Sequence, residues 1–275
     1  VQQQAARTAV VAGGGLLGLE AAYGLYKLGL AVTVLERSPA LLARQLDARS
    51  SEFLLAYLEG LGIRVQTEAE VAAAHAADNV AGARVATVTL GDGQVLPCDL
   101  LLVAAGIRAD LELARQMGLA LQQGVVVDDL MRTSDPHIFA AGDVAEYDGK
   151  LYGLWPVAVS QAEVAAANAV AENGIATASY VETAPVTMLK VVGIDITSIG
   201  RIAVEPEDAV IALEESARHH YRKLIIRDGK IAGAILLGYP LEAPGVAAAV
   251  KQELDITPLL DDLRRGDWDE LAALA

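Results

Sequence analysis

The chain has 275 residues, enough for about two domains with a substantial core. Its formal net charge of −15 disfavours nonspecific binding to nucleic acid or to anionic membranes. Its single cysteine, Cys98, excludes internal disulfides, CxxC redox motifs and cysteine-rich metal sites, and favours a structural role for that thiol. Charged or polar residues interrupt the long apolar stretches and no signal-like segment opens the sequence, so we expect a cytoplasmic protein without a membrane span.

A glycine-rich turn dominates the start of the chain. A β-branched strand at residues 8–12 leads into GGGLLG at residues 13–18, and an apolar helix pattern follows. Gly13 would permit the tight turn out of the strand, Gly15 would let the backbone approach a pyrophosphate, and Gly18 would let the helix pack on the sheet. The alternative is a glycine-rich turn that binds no ligand, which the context of strand, helix and following acid disfavours.

The helix after this turn is predicted to face a ligand with its amino end. Its first amides, those of Leu16 and Leu17, would point at the phosphates with the positive end of the helix dipole. Gly29 is expected to end the helix. The predicted inward stripe consists of Leu17, Ala21, Leu25 and Leu28.

An acidic residue ends the second predicted strand, residues 31–35. Glu36 lies about 20 residues beyond the glycines, where a carboxylate can accept hydrogen bonds from a ribose diol. Arg37 favours NADP(H) instead, because its guanidinium could bind a 2′-phosphate. Since Glu36 occupies the strand tip, we favour NAD(H) over NADP(H) as the ligand.

The following elements extend a β-α-β-α-β pattern, half of a doubly wound sheet. Asp47 is predicted to cap a helix that runs to about Leu61 and ends at Gly62, before a short strand at residues 63–65. A β-meander is then predicted at residues 68–74, 83–90 and 94–97. Residues 100–103 are predicted to be a fully buried apolar strand.

These features together resemble the FAD-dependent pyridine nucleotide–disulfide oxidoreductase superfamily. The matching residues are GGGLLGLE at 13–20, the acid after the second strand, the meander and LLVAAGIR at 101–108. The resemblance implies that Gly106 backs onto the nicotinamide end of the cofactor and that Glu20 lies near the nicotinamide–flavin contact. For Glu20, an ordinary solvated helix residue is the alternative. The family usually has Pro and Asn where this chain has Ala109 and Asp110, which leaves the conformation of that loop open.

A second motif, TSDPHIFAAGDV, occupies residues 133–144. A buried strand at residues 138–141 is predicted to present Gly142 and Asp143 at its carboxyl end. Glycine admits a ligand close to the backbone, and the carboxylate can accept hydrogen bonds from a polyol. The resemblance implies that this motif binds the ribityl chain of FAD, with Asp143 as the matching residue; a helix-capping Asp in a tight turn is the alternative.

A further helix is predicted after Trp155, with Pro156 at its first position. By the same resemblance, its amino end would face the pyrimidine edge of a flavin, where a reduced flavin carries negative charge. Trp155 would either cover the flavin or serve as an ordinary core or interface aromatic, and the sequence leaves both open.

The composition changes from about residue 180, where a run of predicted strands and two helices forms an α+β domain. LKVVGIDITSIG at 189–200 and YRKLIIRDGKIAGAILLG at 221–238 look like the C-terminal domain of the nitrite reductase large subunit and NADH:rubredoxin reductase branch. Lys190 would face the flavin or dock an acidic acceptor, with a solvated lysine as the alternative.

The predicted fold is α/β in three parts. Residues 1–107 form a Rossmann-like NAD(H)-binding domain with a β-meander, residues 108–177 a partial FAD-binding domain (its C-terminal half), and residues 178–275 a C-terminal α+β domain. The opening residues, which lack an initiator Met, are interpreted as a helix end or linker.

The predicted function is an NADH-dependent flavoprotein oxidoreductase, or the larger part of one. Hydride would pass from NADH to FAD, and electrons would continue to a small redox acceptor protein or domain, such as rubredoxin or nitrite-reductase centres. No catalytic or metal-binding residue is assigned, because the flavin carries the chemistry. The alternative is a nucleotide-binding module without redox activity.

One absence in the sequence shapes the expected cofactor content. In the family, the first half of the FAD domain carries its own glycine motif and precedes the NAD domain, whereas this sequence has one such motif. We therefore expect the chain to bind NADH but to hold FAD poorly. We also expect the apolar face left by the missing half to favour self-association into a homo-oligomer.

Overall fold

A computed structural model describes residues 6–77, 84–171, 177–182 and 186–274. Most of the opening segment and the first residue of the predicted 83–90 strand therefore lie outside the described residues. The chain divides into two compact units. Residues up to Gly106 and the C-terminal segment from residue 186 form the first unit, and residues from Ile107 to 182 form the second. The domain boundaries at 107 and 177 stay predictions.

The amino-terminal part of the first unit contains a four-stranded parallel sheet and a meander. Its elements are β1 (Thr8–Ala12), α1 (Leu16–Lys27), β2 (Ala31–Leu35), α2 (Ala48–Leu61), β3 (Arg64–Gln66), β4 (Val71–Ala76), β5 (Val85–Leu90), β6 (Val95–Pro97) and β7 (Leu100–Val103). The parallel sheet has the order β3-β2-β1-β7, and β4, β5 and β6 form the antiparallel meander. The predicted Rossmann-like pattern with a meander is therefore confirmed.

Two burial predictions in this part are wrong. The strand β7 is only half buried and its last residue, Val103, is 68% exposed, because β7 pairs only with β1 among the described strands. The inward face of α1 is also rotated from the predicted stripe: Leu17 and Leu28 are exposed, and of the four predicted residues only Leu25 is buried. The buried residues are Gly18, Leu19, Ala22 and Leu25.

The second unit contains two short helices or turns, a small sheet and one long helix. Its elements are α3 (Glu112–Gln116), β8 (Val125–Val127), a short 3-10 helix (Gly142–Val144), β9 (Ala145–Tyr147) and α4 (Trp155–Ala169). The strands β8 and β9 pair in parallel. The strand predicted at residues 138–141 is wrong: this segment is half buried and makes one isolated bridge, between Arg132 and Phe139. The amide of Ile138 donates to the carbonyl of Asp135 within a tight turn, so this amide is not available for pairing with a neighbouring strand.

The C-terminal part of the first unit is a five-stranded antiparallel sheet with helices on one face. Its elements are β10 (Val186–Val191), β11 (Ile194–Gly200), β12 (Ala209–Glu215), β13 (His220–Arg227), β14 (Lys230–Leu237), α5 (Ala243–Lys251), α6 (Leu260–Arg265) and α7 (Asp269–Ala272). The strand order is β10-β11-β14-β13-β12. The short helix α7 was not predicted, whereas the α+β character of this region is confirmed.

The two faces of this sheet belong to two different cores. Ile196, Tyr221 and Ile235 pack in one cluster with residues of β1, β2, α1 and α2. The opposite face contributes Ile199 and Leu224 to a second cluster with α5, α6 and α7. The C-terminal sheet is therefore covered on one side by the Rossmann-like layer and on the other by its own helices.

A partly buried ion pair joins the two parts of this unit. Asp47 caps α2, as predicted, by accepting from the Ser50 amide at 2.9 Å, and its second oxygen lies 2.7 Å from the ammonium of Lys223 on β13. Burial by itself raises the pKa of the Asp47 carboxyl, but hydrogen bonds from Lys223 and Ser50 outweigh it and the net pKa is lowered.

The single thiol lies in a smaller core between the parallel sheet and the meander. Cys98 is fully buried in a cluster with Val10, Leu35, Val88 and Leu90. Its burial raises the pKa of the thiol, so the group is held as a neutral, unreactive thiol at neutral pH.

Among the described residues, no helix has the length and apolar character needed to cross a membrane.

Candidate functional site

The glycine turn brings the start of α1 unusually close to the sheet. At Gly13 φ is +126°, and a Cβ built there would lie 2.3 Å from the carbonyl oxygen of Ala104. A Cβ built at Gly18 would lie 1.9 Å from the carbonyl oxygen of Gly13. Both contacts are with backbone atoms, which cannot move aside as a flexible side chain can. Only glycine fits at these two positions, as the spacing of the motif predicted.

The amino end of α1 is open. Gly15 is the N-cap residue, it provides no side-chain cap, and a Cβ built there would meet no atom of the described residues within 4 Å. Among the described residues, no protein acceptor is bonded to the amides of Leu16, Leu17 or Gly18, and the first turn has no acidic side chain. Unpaired amides at the positive end of a helix dipole form an anion-binding site. The residues present therefore fit a diphosphate.

Glu36 lies beside this turn in a fixed orientation. Its Oε2 accepts from the amide of Gly14 at 2.7 Å, and its Oε1 accepts from the amide of Ser38 at 2.7 Å. Each carboxylate oxygen keeps a further lone pair for an outside donor such as a ribose hydroxyl. The neighbouring Arg37 is exposed and makes no ion pair within the described part of the chain. The two backbone donors that orient Glu36 were not foreseen, because the sequence carries no signal for a carboxylate bonding back to the loop.

Glu20 has a partner within the protein. Its Oε1 accepts from the amide of Val192 at 2.7 Å, in the tight turn between β10 and β11. The hydroxyl of Tyr57, on α2, donates to the carbonyl of the same residue at 3.2 Å. Val192 is fully buried and has φ +57°, and Gly193 follows with φ +90°. Side chains of α1 and α2 thus satisfy both polar backbone groups of this buried turn residue, and the predicted nicotinamide contact of Glu20 remains a prediction.

Two other predicted site residues of the first unit are exposed. Gly106 follows the end of β7 with φ +90° and open space where a Cβ would lie. Because Ala104 contacts Gly13, this segment leaves the sheet at the same edge as the glycine turn. Lys190 is exposed on β10, the edge strand of the C-terminal sheet, opposite Asp195 on β11.

The second unit brings the predicted Gly142 and Asp143 next to α4. Gly142 has φ +79°, its amide donates to Oε1 of Gln161 at 2.9 Å, and a Cβ built on it would lie 3.4 Å from the Cβ of Ala158. Asp143 is exposed and makes no hydrogen bond to another described residue, so it does not cap a helix in the way the alternative reading required. An exposed carboxylate on a glycine turn fits a polyol ligand.

The amino end of α4 carries two further predicted site residues, Trp155 and Pro156. Trp155 is 82% exposed, so it is not a core aromatic, and its two other interpretations, an interface aromatic and a cover for the flavin, stay predictions. Pro156 is the second residue of α4, one place later than predicted, because the helix begins at Trp155, and the N-cap residue Leu154 provides no side-chain cap. Trp155, Ala158 and Gln161 are spaced three residues apart and share one side of the helix. Gln161 was not predicted as a site residue, because a glutamine within an apolar helix belongs to no recognisable sequence motif.

Comparisons with known proteins match nearly the whole chain. A family model described as pyridine nucleotide-disulphide oxidoreductase matches residues 1–162. A second, described as the C-terminal domain of rubredoxin NAD+ reductase, matches residues 185–254. Among curated proteins, the chain is 36% identical over 251 residues to a nitrite reductase (NAD(P)H) of Bacillus subtilis, covering 91% of this chain and 30% of that protein.

Reductases of small redox proteins are also similar. The ferredoxin reductase component of a chlorobenzene dioxygenase from a Cupriavidus species is 34% identical, with 90% of this chain and 59% of that protein covered. The structure of an NADH:rubredoxin oxidoreductase from Clostridium acetobutylicum aligns with a TM-score of 0.68 and 29% identity, covering 94% of this chain and 63% of that one. The chain spans less than two thirds of the length of each of these relatives.

Proposed function

The chain belongs to the pyridine nucleotide-disulphide oxidoreductase family, as its sequence predicted, and we propose on this basis that it is an NADH-dependent flavoprotein oxidoreductase or a part of one. The observation that carries the proposal is the glycine turn. Gly13 and Gly18 hold α1 against the sheet, and the amides at its start have no protein acceptor in the described part of the chain. A dinucleotide diphosphate is the ligand that this geometry fits.

Glu36 provides the basis for the proposed choice between NADH and NADPH. Backbone amides of Gly14 and Ser38 hold its carboxylate beside the turn, where it would accept from the ribose diol. The same negative charge would repel a 2′-phosphate, and its fixed position prevents it from turning away. Arg37 is exposed and is the residue whose charge opposes this preference.

For the flavin we propose a contact made by the second unit. The Asp143 carboxylate would accept from polyol hydroxyls, and Gly142 would allow the ligand close to the backbone. The amino end of α4, with Trp155 beside it, would orient the ring system and shield it from water. When bound, FAD would supply the transfer between a two-electron hydride donor and a one-electron acceptor, so no side chain of this chain is required as acid, base or nucleophile.

The proposed electron acceptor is a small redox protein or a redox domain. Relatives are named as reductases of ferredoxin and rubredoxin and as nitrite reductases, and the second family model is that of a rubredoxin reductase domain. The exposed edge strand β10, with Lys190 on it, is the proposed region of the C-terminal sheet that an acidic acceptor would approach.

Two measurements on the purified chain test this function. Titration calorimetry should detect NADH binding that is tighter than NADPH binding, and absorbance should reveal weak flavin binding that supports NADH-driven dye reduction when FAD is added in excess. Binding of neither dinucleotide would refute the proposal. Binding of NADH without any binding of flavin would instead support the nucleotide-binding module without redox activity.

A further inference from the structure

Two buried side-chain amides on α4, those of Asn168 and Gln161, differ in how many of their polar groups are hydrogen-bonded. Asn168 makes hydrogen bonds with both of its polar atoms: Nδ2 donates to the carbonyls of Leu130 and Ala178, and Oδ1 accepts from the amides of Thr177 and Ala178. Every donor and acceptor direction of this amide therefore has a partner. This is the pattern expected of a residue that serves the fold alone.

Gln161, two turns earlier, is even more deeply buried and is only half satisfied. Its side chain is fully buried, its Oε1 accepts from the amide of Gly142 at 2.9 Å, and its Nε2 has no hydrogen-bond partner among the residues that the structure describes. The Gly142 amide fixes which end of the side chain faces the turn, because a flipped amide would set two donors against each other. A buried donor without an acceptor is costly and is uncommon in native proteins.

The turn that Gln161 holds carries the exposed carboxylate of Asp143. Gly142 has φ +79°, which glycine adopts without strain, and Gln161 and Ala158 on adjacent turns of α4 hold it in place, Gln161 by accepting from its amide and Ala158 by lying beside it. The hydrogen bond from Gly142 therefore sets the direction in which the next residue, Asp143, leaves the turn. The Nε2 group belongs to the same side-chain amide and is buried without a partner among the described residues.

On the basis of the flavin-binding function proposed above, we propose that Gln161 is a positioning residue for a flavin polyol. Its carbonyl oxygen holds the Gly142 turn so that Asp143 accepts from ribityl hydroxyls, and its amide NH2 acquires an oxygen acceptor when the ligand is bound. The ligand class is a polyol that offers both hydroxyl donors and oxygen acceptors, which a carboxylate and a neutral amide together recognise.

The test uses the full chain and FMN, which has the ribityl chain without the adenosine half. Gln161→Leu and the matched control Asn168→Leu each remove one buried amide of similar size from the same helix. Gln161→Leu should weaken FMN binding by about fivefold or more, the equivalent of one lost hydrogen bond, at a temperature where both variants remain folded. Asn168→Leu should lower thermal stability while changing FMN affinity by less than about twofold. Equal losses of affinity in the two variants would overturn the positioning role.

A second measurement on the wild-type chain does not depend on any variant folding. In 15N-labelled protein, the side-chain NH2 signals of Gln161 should shift downfield and exchange more slowly with water on addition of FMN, and those of Asn168 should not. Unchanged Gln161 signals in FMN-saturated protein would overturn the proposal while leaving flavin binding intact. If FMN at millimolar concentration shifts no signal of the second unit, both this proposal and the flavin function fail.

Discussion

Substituting alanine at three glycines of one helix and its cap should produce three different results. Gly18 faces the backbone of Gly13, Gly24 faces open space in the middle of α1, and Gly15 faces open space at the helix start. The same added methyl group therefore tests packing, helix propensity and ligand approach separately.

The expected magnitudes follow from the contacts. The methyl group of Gly18→Ala would start 1.9 Å from the Gly13 oxygen, below the 3.0 Å that real contacts respect, so α1 would have to move by about 1 Å. Such overpacking costs about 1–3 kcal/mol, partly offset by the roughly 0.5–1 kcal/mol by which alanine favours a helix over glycine. Gly24→Ala keeps only the favourable term, so it should stabilise the protein by about 0.5–1 kcal/mol.

Gly15→Ala should separate stability from binding. Its φ of −81° suits alanine and no atom is in the way, so the free energy of unfolding should change by less than about 1 kcal/mol. The methyl group would project into the space where the diphosphate approaches, so NADH should bind about tenfold more weakly or worse.

Urea denaturation and NADH calorimetry on the three variants would check these values. If Gly18→Ala proved as stable as Gly24→Ala, the close packing of α1 on the turn would be wrong. Unchanged NADH affinity in Gly15→Ala would contradict the placement of the diphosphate at this helix end.

Three further predictions concern charged and polar groups. Glu36→Gln should weaken NADH binding by roughly tenfold and reduce the preference over NADPH, since an amide NH2 would oppose one of the two backbone donors; calorimetry with both nucleotides checks this. Lys223→Met should lower the free energy of unfolding at pH 7 by less than the roughly 3–5 kcal/mol that breaking a fully buried ion pair costs, because this pair is only partly buried. Because the folded pKa of Asp47 is lowered, the stabilisation by this pair is present above about pH 4 and is lost as the pH falls through that folded pKa. In acid denaturation, the free energy of unfolding of the variant should therefore fall less steeply with decreasing pH than that of the wild type. An unchanged dependence on pH would contradict the pairing. Cys98→Ser should leave NADH-driven dye reduction by the flavin-loaded protein unchanged while it is folded, because the chain has no second thiol, and a large loss of turnover would show that the thiol has a role in the chemistry.

The sequence alone determined those features that depend on neighbouring residues. The spacing of Gly13, Gly15 and Gly18 predicted a tight turn, a close helix contact and an open helix end, because steric limits on backbone angles act over a few residues. Asp47 predicted the start of α2 and Gly62 its end for the same reason, and the structure has both caps.

Only the tertiary structure decided which face of each helix is buried and which residues distant in sequence form hydrogen bonds with each other. The contact of Gly18 with Gly13 fixes the rotation of α1, and this leaves Leu17 exposed although its local pattern favoured the core. The pairing of Glu20 with the Val192 amide joins residues 172 positions apart, and the bond from Gly142 to Gln161 joins a loop to a helix. Hydrogen bonds and packing between segments distant in sequence depend on how whole elements are placed, and no short pattern of residues encodes that placement.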